Sequence, residues 1–358
     1  MTVDERANGR VDGGPQRQDP AANGSALKPG TDTRVVSYLR LSVTDRCNLR
    51  CLYCMPESGI RMLPHEEILT FDEIEGILDA VAGPLGLRGI RVTGGEPLVR
   101  GGITELVRRM ARLPGIDDLS MTTNALLLPR FAQDLRRAGL LRVNVSLDTL
   151  RPERFRSICR GGDPGEVFAG IRAAEAAGLE PVKINMVVIP GINDDEVEDM
   201  ARLTIDRPRH VRFIEFMPVG NSDLQREKSY IPSAELRARI AARFGLEESP
   251  VAPLGRGPAR YWRIPGAVGT VGFISPLSQH FCASCNRIRL TADGWVRTCL
   301  LTDRIGIDVK TPYRAGVRGE GLVALFREAI RLKPPSHDLV PDGNGNGKYI
   351  RTMCQIGG

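Results

Sequence analysis

Six of the eight cysteines fall into two triplets, Cys47-x3-Cys51-x2-Cys54 and Cys282-x2-Cys285-x13-Cys299. A chain of this size without a secretory signal keeps its thiols reduced, so the pattern reads as metal ligation and not as disulfides. Three thiolates are one short of the four that close an iron–sulfur cube, and a cube held by three leaves one iron open for chemistry. For the first triplet, a zinc site completed by a distant His or Asp is the lesser alternative, because zinc motifs usually come as Cys-x2-Cys pairs. The second triplet stays open between a cluster and a Cys3His zinc ribbon, since His280 lies two residues before Cys282. Cys159 and Cys354 belong to neither triplet and read as packing residues.

Other polar residues add to the triplets. Arg287 and Arg289 alternate along the strand after Cys285 and so point to one face. Beside a cluster they suit an anionic ligand; otherwise they are a solvated strand face in an arginine-rich chain. In Thr93-Gly94-Gly95-Glu96-Pro97 the paired glycines let the backbone approach a ligand, and Glu96 could orient an ammonium group, although a turn would use the same residues. Thr122, Ser146 and Met217 close the third, fourth and sixth expected strands and so form one ring. Lys183 stands in an otherwise apolar strand; turned inward it needs an anion, turned outward it needs nothing. The four histidines make no HExxH pattern, and residues 343–348 fail the phosphate-loop pattern because Tyr349 follows the lysine. That stretch reads as a flexible linker.

The elements that must carry these residues come from the apolar periodicity. Strands are expected over 38–43, 89–92, 119–122, 142–147, 182–189 and 210–216, with helices over 71–82, 103–112, 130–138, 164–177, 194–204 and 233–242. Thr70 is the expected N-cap of the first helix. Six βα units in series predict an α/β fold, an incomplete (β/α)6-type barrel. The first triplet then lies in the loop after the first strand, at the end of the barrel where chemistry occurs. Beyond about residue 245 Pro and Gly punctuate short strands at 260–264, 270–274, 287–290 and 295–299, followed by a helix at 322–332. This predicts a C-terminal α+β extension carrying the second triplet. The expected organisation is a disordered tail over 1–33, the barrel over 34–225 and the extension over 226–358.

Composition narrows the class. The 358 residues are 42% hydrophobic and 26% charged, ordinary values for a folded soluble chain. No apolar run reaches the roughly 20 residues of a membrane span, so a cytoplasmic location is expected. The net charge of +6 comes from 49 basic residues, only six of them lysine, scattered without basic runs or interleaved aromatics. A polyphosphate small molecule fits that pattern at least as well as nucleic acid.

Cys-x3-Cys-x2-Cys on the first loop of such a barrel, with Gly94-Gly95-Glu96-Pro97 after the second strand, resembles the radical S-adenosylmethionine enzymes. Within them the chain is most similar to the GTP 3′,8-cyclase family of molybdenum-cofactor biosynthesis. That likeness rests on Leu39-Arg40-Leu41-Ser42-Val43-Thr44-Asp45-Arg46-Cys47-Asn48, Arg91 to Leu98, Arg212-Phe213-Ile214-Glu215-Phe216-Met217, Phe281 to Leu290 and the terminal Gly357-Gly358. It runs from about residue 36 to the end of the chain.

The resemblance implies a [4Fe-4S] cluster on Cys47, Cys51 and Cys54, with Tyr53, Gly95, Ser146 and Met217 lining the S-adenosylmethionine site. It implies a second [4Fe-4S] cluster on Cys282, Cys285 and Cys299 that meets the guanine of GTP. Arg40, Arg91, Thr122, Lys183, Arg287 and Arg289 would hold the nucleotide, and Gly357 and Gly358 would reach into the active site. The implied reaction takes hydrogen from C3′ of the ribose and joins C3′ to C8 of guanine. Implied partners are an external electron donor and a downstream cyclic pyranopterin monophosphate synthase, with no nucleic acid and no membrane, for a monomer or homodimer. Two other readings are a radical enzyme acting on a peptide and a non-catalytic zinc or iron–sulfur protein that binds nucleic acid.

Overall fold

Parallel strands joined by helices are what the βα periodicity demands, and the computed structural model has them. It describes residues 34–217, 219, 230–249, 255–301, 305–337 and 352–357. Strands β1 (Tyr38–Ser42), β2 (Gly89–Thr93), β3 (Asp118–Thr123), β4 (Arg142–Ser146), β5 (Lys183–Val188) and β6 (His210–Glu215) lie side by side in chain order, all parallel. The crossovers hold helices α1 (Phe71–Ala82), α2 (Ile103–Met110), α3 (Leu128–Arg137), α4 (Pro152–Cys159), α5 (Pro164–Ala176) and α6 (Val197–Arg202). Helix α1 starts at a capping box: the Glu73 amide donates to the Thr70 hydroxyl at 3.1 Å and the Thr70 amide to the Glu73 carboxylate at 2.8 Å.

The later chain comprises α7 (Ser233–Phe244), β7 (Glu247–Glu248), β8 (Arg260–Arg263), β9 (Thr270–Ile274), β10 (Arg287–Leu290), β11 (Trp295–Arg297), β12 (Gly306–Asp308), α8 (Lys310–Arg314), α9 (Glu320–Arg331) and α10 (Met353–Ile356). Its strands extend the barrel sheet at both edges. β9 adds to β6 and β10 adds to β1, each parallel. Antiparallel β8 and β7 follow on one side, and β11 and β12 on the other. The sheet therefore stays open, running from β12 at one edge to β7 at the other.

Alternation along the strands decides what faces where. Leu39, Leu41, Ile90, Val92, Val143 and Val145 are buried in the hydrophobic core with Ile74, Ile77 and Leu78 of α1. The intervening positions carry Arg40, Arg91, Thr122, Asn144, Lys183 and Arg212 to the opposite face. Five short elements were not expected from periodicity: α4, α8, α10, β7 and β12. The helix expected over 194–204 is a 3-10 turn, Asp194–Glu196, followed by α6. Runs of two to eight residues give too few repeats for a period to show. No helix among the described residues is long and apolar enough to cross a membrane. The expected tail (1–33) and linker (343–348) lie outside the described residues.

Candidate active site

The loop after β1 carries Cys47, Cys51 and Cys54, all partly buried. It turns at Cys51, whose carbonyl accepts the amides of Cys54 (2.9 Å) and Met55 (3.2 Å). The Leu49 amide donates to the Cys47 sulfur at 3.4 Å. The loop is strapped to the Gly94-Gly95-Glu96 turn: Gly95 donates to the Thr44 carbonyl and Glu96 to that of Arg46, both at 2.8 Å. A Cβ on Gly95 would lie 2.3 Å from the Arg46 carbonyl oxygen, so no larger residue fits. Burial pushes the Cys47 thiol up to about 12. Contact with Cys159 raises the Cys51 thiol, and contact with Cys354 raises that of Cys54. Such thiols ionise when a metal takes the proton's place. Three thiols lining one cavity, an amide aimed at one of them and a glycine cradle beside them suit a three-thiolate cube.

Cys159 and Cys354 thus change meaning. Both sit against the first triplet, and Cys354 lines the same cavity as its three cysteines. No spacing rule links position 354 to position 54, which is why sequence reading treated it as packing.

The cavity wall near this loop is polar and internally bonded. The Tyr53 hydroxyl donates to Asp148 at 2.7 Å, and the Val187 amide donates to the other Asp148 oxygen at 2.8 Å. Burial raises the Asp148 carboxyl to about 6. Burial also lifts Glu96 to about 7 against three hydrogen bonds that favour its anion, from the amides of Asn124 and Leu98 and the Thr123 hydroxyl. Both Glu96 oxygens are engaged in this way, so the carboxylate ties β3 to the glycine turn.

The second triplet is built from two strand ends. Cys282 opens a 3-10 turn, Cys282–Ser284, whose carbonyl accepts the Cys285 amide at 3.1 Å; Cys299 follows β11. The Leu301 amide donates to the Cys299 sulfur at 3.4 Å, as Leu49 does to Cys47. Lys333 joins the two strands by donating to the carbonyls of Arg287 (2.8 Å) and Thr298 (2.7 Å). Burial raises the Cys285 thiol, but Arg287 and Lys333 overcome it and bring the thiol down to about 7. Lys333 carries no motif that would mark it in the sequence.

Between the triplets runs a row of arginines. Arg289, Arg40 and Arg91 are register partners on the adjacent parallel strands β10, β1 and β2. All three line the cavity, with Arg287 at its side. Burial lowers the Arg40 guanidinium, and repulsion from Arg289, Arg91 and Arg287 lowers it further. Like charges abreast on neighbouring strands are unfavourable unless something anionic lies over them. Arg212, also lining the cavity, donates to Asn185 at 2.8 Å and to Asn144.

The cavity brings together fifteen of the eighteen residues expected at the site: the six triplet cysteines, Tyr53, Gly95, Ser146, Met217, Arg40, Arg91, Thr122, Arg287 and Arg289. Lys183 does not line it. It lies deeper on β5, two residues before the cavity residue Asn185, and burial beside Arg212, Arg142 and Arg91 lowers it to about 6. Gly357 is held from behind, its carbonyl accepting from Arg289 while Met353 and Cys354 line the cavity. Gly358 lies outside the described residues.

The chain matches two family models: Radical SAM superfamily over residues 41–204 and Molybdenum Cofactor Synthesis C over residues 209–339. The S-adenosylmethionine-bound SuiB of Streptococcus suis shares the fold at a TM-score of 0.56 and 14% identity, covering 86% of this chain and 76% of that one. Fold and site together define a radical S-adenosylmethionine protein, a class that carries a four-iron cluster. The GTP 3′,8-cyclase of Pelotomaculum thermopropionicum is 53% identical over 328 residues, 92% of this chain and 99% of that protein. That of Heliobacterium modesticaldum is 52% identical over 326 residues, 91% and 98% of the two chains. The chain belongs to the GTP 3′,8-cyclase family.

Proposed function

We infer that this chain cyclises GTP to (8S)-3′,8-cyclo-7,8-dihydroguanosine 5′-triphosphate, the first step of molybdenum-cofactor biosynthesis. The observation that carries this is one cavity lined by both cysteine triplets and by Arg40, Arg91, Arg287 and Arg289. Four guanidiniums there suit a triphosphate, which a peptide-modifying enzyme would not need. The barrel (34–225) supplies the S-adenosylmethionine half of the site and, with Arg40, Arg91, Thr122 and Lys183, part of the substrate half; the extension (226–358) adds Arg287, Arg289 and the second triplet. When bound, the first cluster and S-adenosylmethionine supply a carbon radical able to take hydrogen from C3′ of the ribose.

The chain's own residues do the positioning. Tyr53, Gly95, Ser146 and Met217 line the S-adenosylmethionine side. The arginine row, with Thr122, Arg212 and the deeper Lys183, fixes the triphosphate, so that C3′ is held still relative to the radical source. Cys282, Cys285 and Cys299 would hold a second four-iron cluster at the substrate end of the cavity. Gly357, its carbonyl held by Arg289, closes the cavity against water and other quenchers. The reading includes a cytoplasmic monomer or homodimer, an external electron donor and a downstream cyclic pyranopterin monophosphate synthase.

The test is anaerobic turnover with S-adenosylmethionine, a strong reductant and GTP deuterated at C3′. Deuterium in the 5′-deoxyadenosine, with a cyclic product derived from GTP, is expected. Cleavage without deuterium transfer makes GTP the wrong substrate, and no cleavage with both clusters assembled overturns the enzyme assignment.

A further inference from the structure

Cys282 has two neighbours that a three-cysteine cluster does not use. His280, exposed, and His337, buried, bring ring nitrogens to its sulfur, and the three donor atoms all lie within 4.8 Å of one another. The two imidazoles are tilted by 37° with centroids 4.4 Å apart. His337 Nε2 lies 2.8 Å from the Pro276 carbonyl, which can only accept, so Nε2 carries the proton and the lone pair is on Nδ1. A carbonyl behind the imidazole is how metal-bound histidines are oriented and made more basic. The Cys282 sulfur in turn accepts the His337 amide. Two imidazoles and a thiolate favour Zn²⁺ or Co²⁺ over Mg²⁺ or Ca²⁺. With bonds of about 2.0 Å to nitrogen and 2.3 Å to sulfur, tetrahedral ligands stand about 3.5 Å apart, a closure within reach of side-chain rotation.

We propose that His280, Cys282 and His337 bind a Zn²⁺-like divalent cation, at a site that excludes a cluster on Cys282, Cys285 and Cys299 because both claim the Cys282 sulfur. The exclusion, though not the cation site itself, rests on the second cluster proposed above. The cation occupies the chain before cluster assembly, and iron–sulfur insertion must wait for its release. Zinc therefore acts as an antagonist of maturation at this end of the cavity.

The probe is Co²⁺ alone, added to the full-length, cluster-free chain carrying Cys47→Ala, Cys51→Ala and Cys54→Ala, so that the first triplet is silent. One equivalent is expected to give a thiolate-to-cobalt charge-transfer band. That band should vanish in Cys282→Ala and His337→Ala, survive in Cys285→Ala, and be retained in His337→Cys, which keeps the ligand count. Replacing the exposed His280 by Ala, which leaves the fold intact, should weaken Co²⁺ binding by about tenfold or more. No band, or a band lost in Cys285→Ala and kept in His337→Ala, overturns the proposal. In the unsubstituted chain, Zn²⁺ loaded first should halve the iron incorporated, and His280→Ala should relieve that block; a full iron load despite zinc refutes the exclusion. If the zinc-free chain takes up only one cluster, the second-cluster assignment fails while the Co²⁺ result stands by itself.

Discussion

The two cysteine triplets are built in opposite ways. Cys47, Cys51 and Cys54 share one loop, where burial and neighbouring thiols hold the sulfurs protonated, Cys47 up to about 12. Cys282, Cys285 and Cys299 come from separate strand ends joined through Lys333, and the cations Arg287 and Lys333 bring Cys285 down to about 7. The first is a pocket of protonated thiols whose shape comes from its own loop and the glycine turn. The second is a cationic wall whose shape depends on the sheet. That contrast places cationic charge at the second end and close backbone packing at the first.

The sharpest way to break the comparison is to remove one thiol from each end. Cys51→Ala should abolish 5′-deoxyadenosine formation, while Cys285→Ala should keep cleavage of S-adenosylmethionine and lose the cyclic product. Each variant should bind about half the iron of the parent by elemental analysis. Equal loss of cleavage in both would mean that the two ends are not separable. Next in size, Arg289→Ala removes one of the row and the bond to the Gly357 carbonyl. The KM for GTP should rise about 30-fold, roughly 2 kcal/mol, with S-adenosylmethionine binding by calorimetry unchanged.

Lys183 gives a pH test. Its ammonium is lowered to about 6 by burial and by Arg212, Arg142 and Arg91, so in the free protein it is neutral above pH 6. A bound triphosphate raises that value, and binding takes up a proton. GTP affinity should be greatest below pH 6 and fall as pH rises, by at most about tenfold per pH unit. Lys183→Met should flatten that slope; an unchanged slope would assign it to another group. The smallest effect is expected at the first end, where Tyr53→Phe loses one bond to Asp148. Affinity for S-adenosylmethionine should weaken about fivefold, near 1 kcal/mol, with the GTP dependence untouched.

Legibility followed the same division. The Cys-x3-Cys-x2-Cys loop, the glycine turn and the Thr70 cap are local arrangements, and each was readable from spacing alone. Arg287 and Arg289 were placed on one face by strand alternation, but nothing local says what that face meets. Glu96, read as a ligand for an ammonium group, has both oxygens bound to Leu98, Thr123 and Asn124. Lys333 and Cys354 had no signal, because their partners lie 46 residues away at Arg287 and 300 positions back at Cys54, respectively.

The sequence by itself determined the Cys-x3-Cys-x2-Cys loop, the six βα units and the family, because thiol spacing and apolar period act over a few residues. Tertiary structure alone decided that β10 pairs with β1, which sets Arg289 beside Arg40 and Arg91, and that Cys354 meets Cys54. It also decided that His337 stands next to Cys282. Those contacts depend on which strand takes the open edge of the sheet. The free energy of that choice is spread over the whole core rather than written in any short stretch of residues.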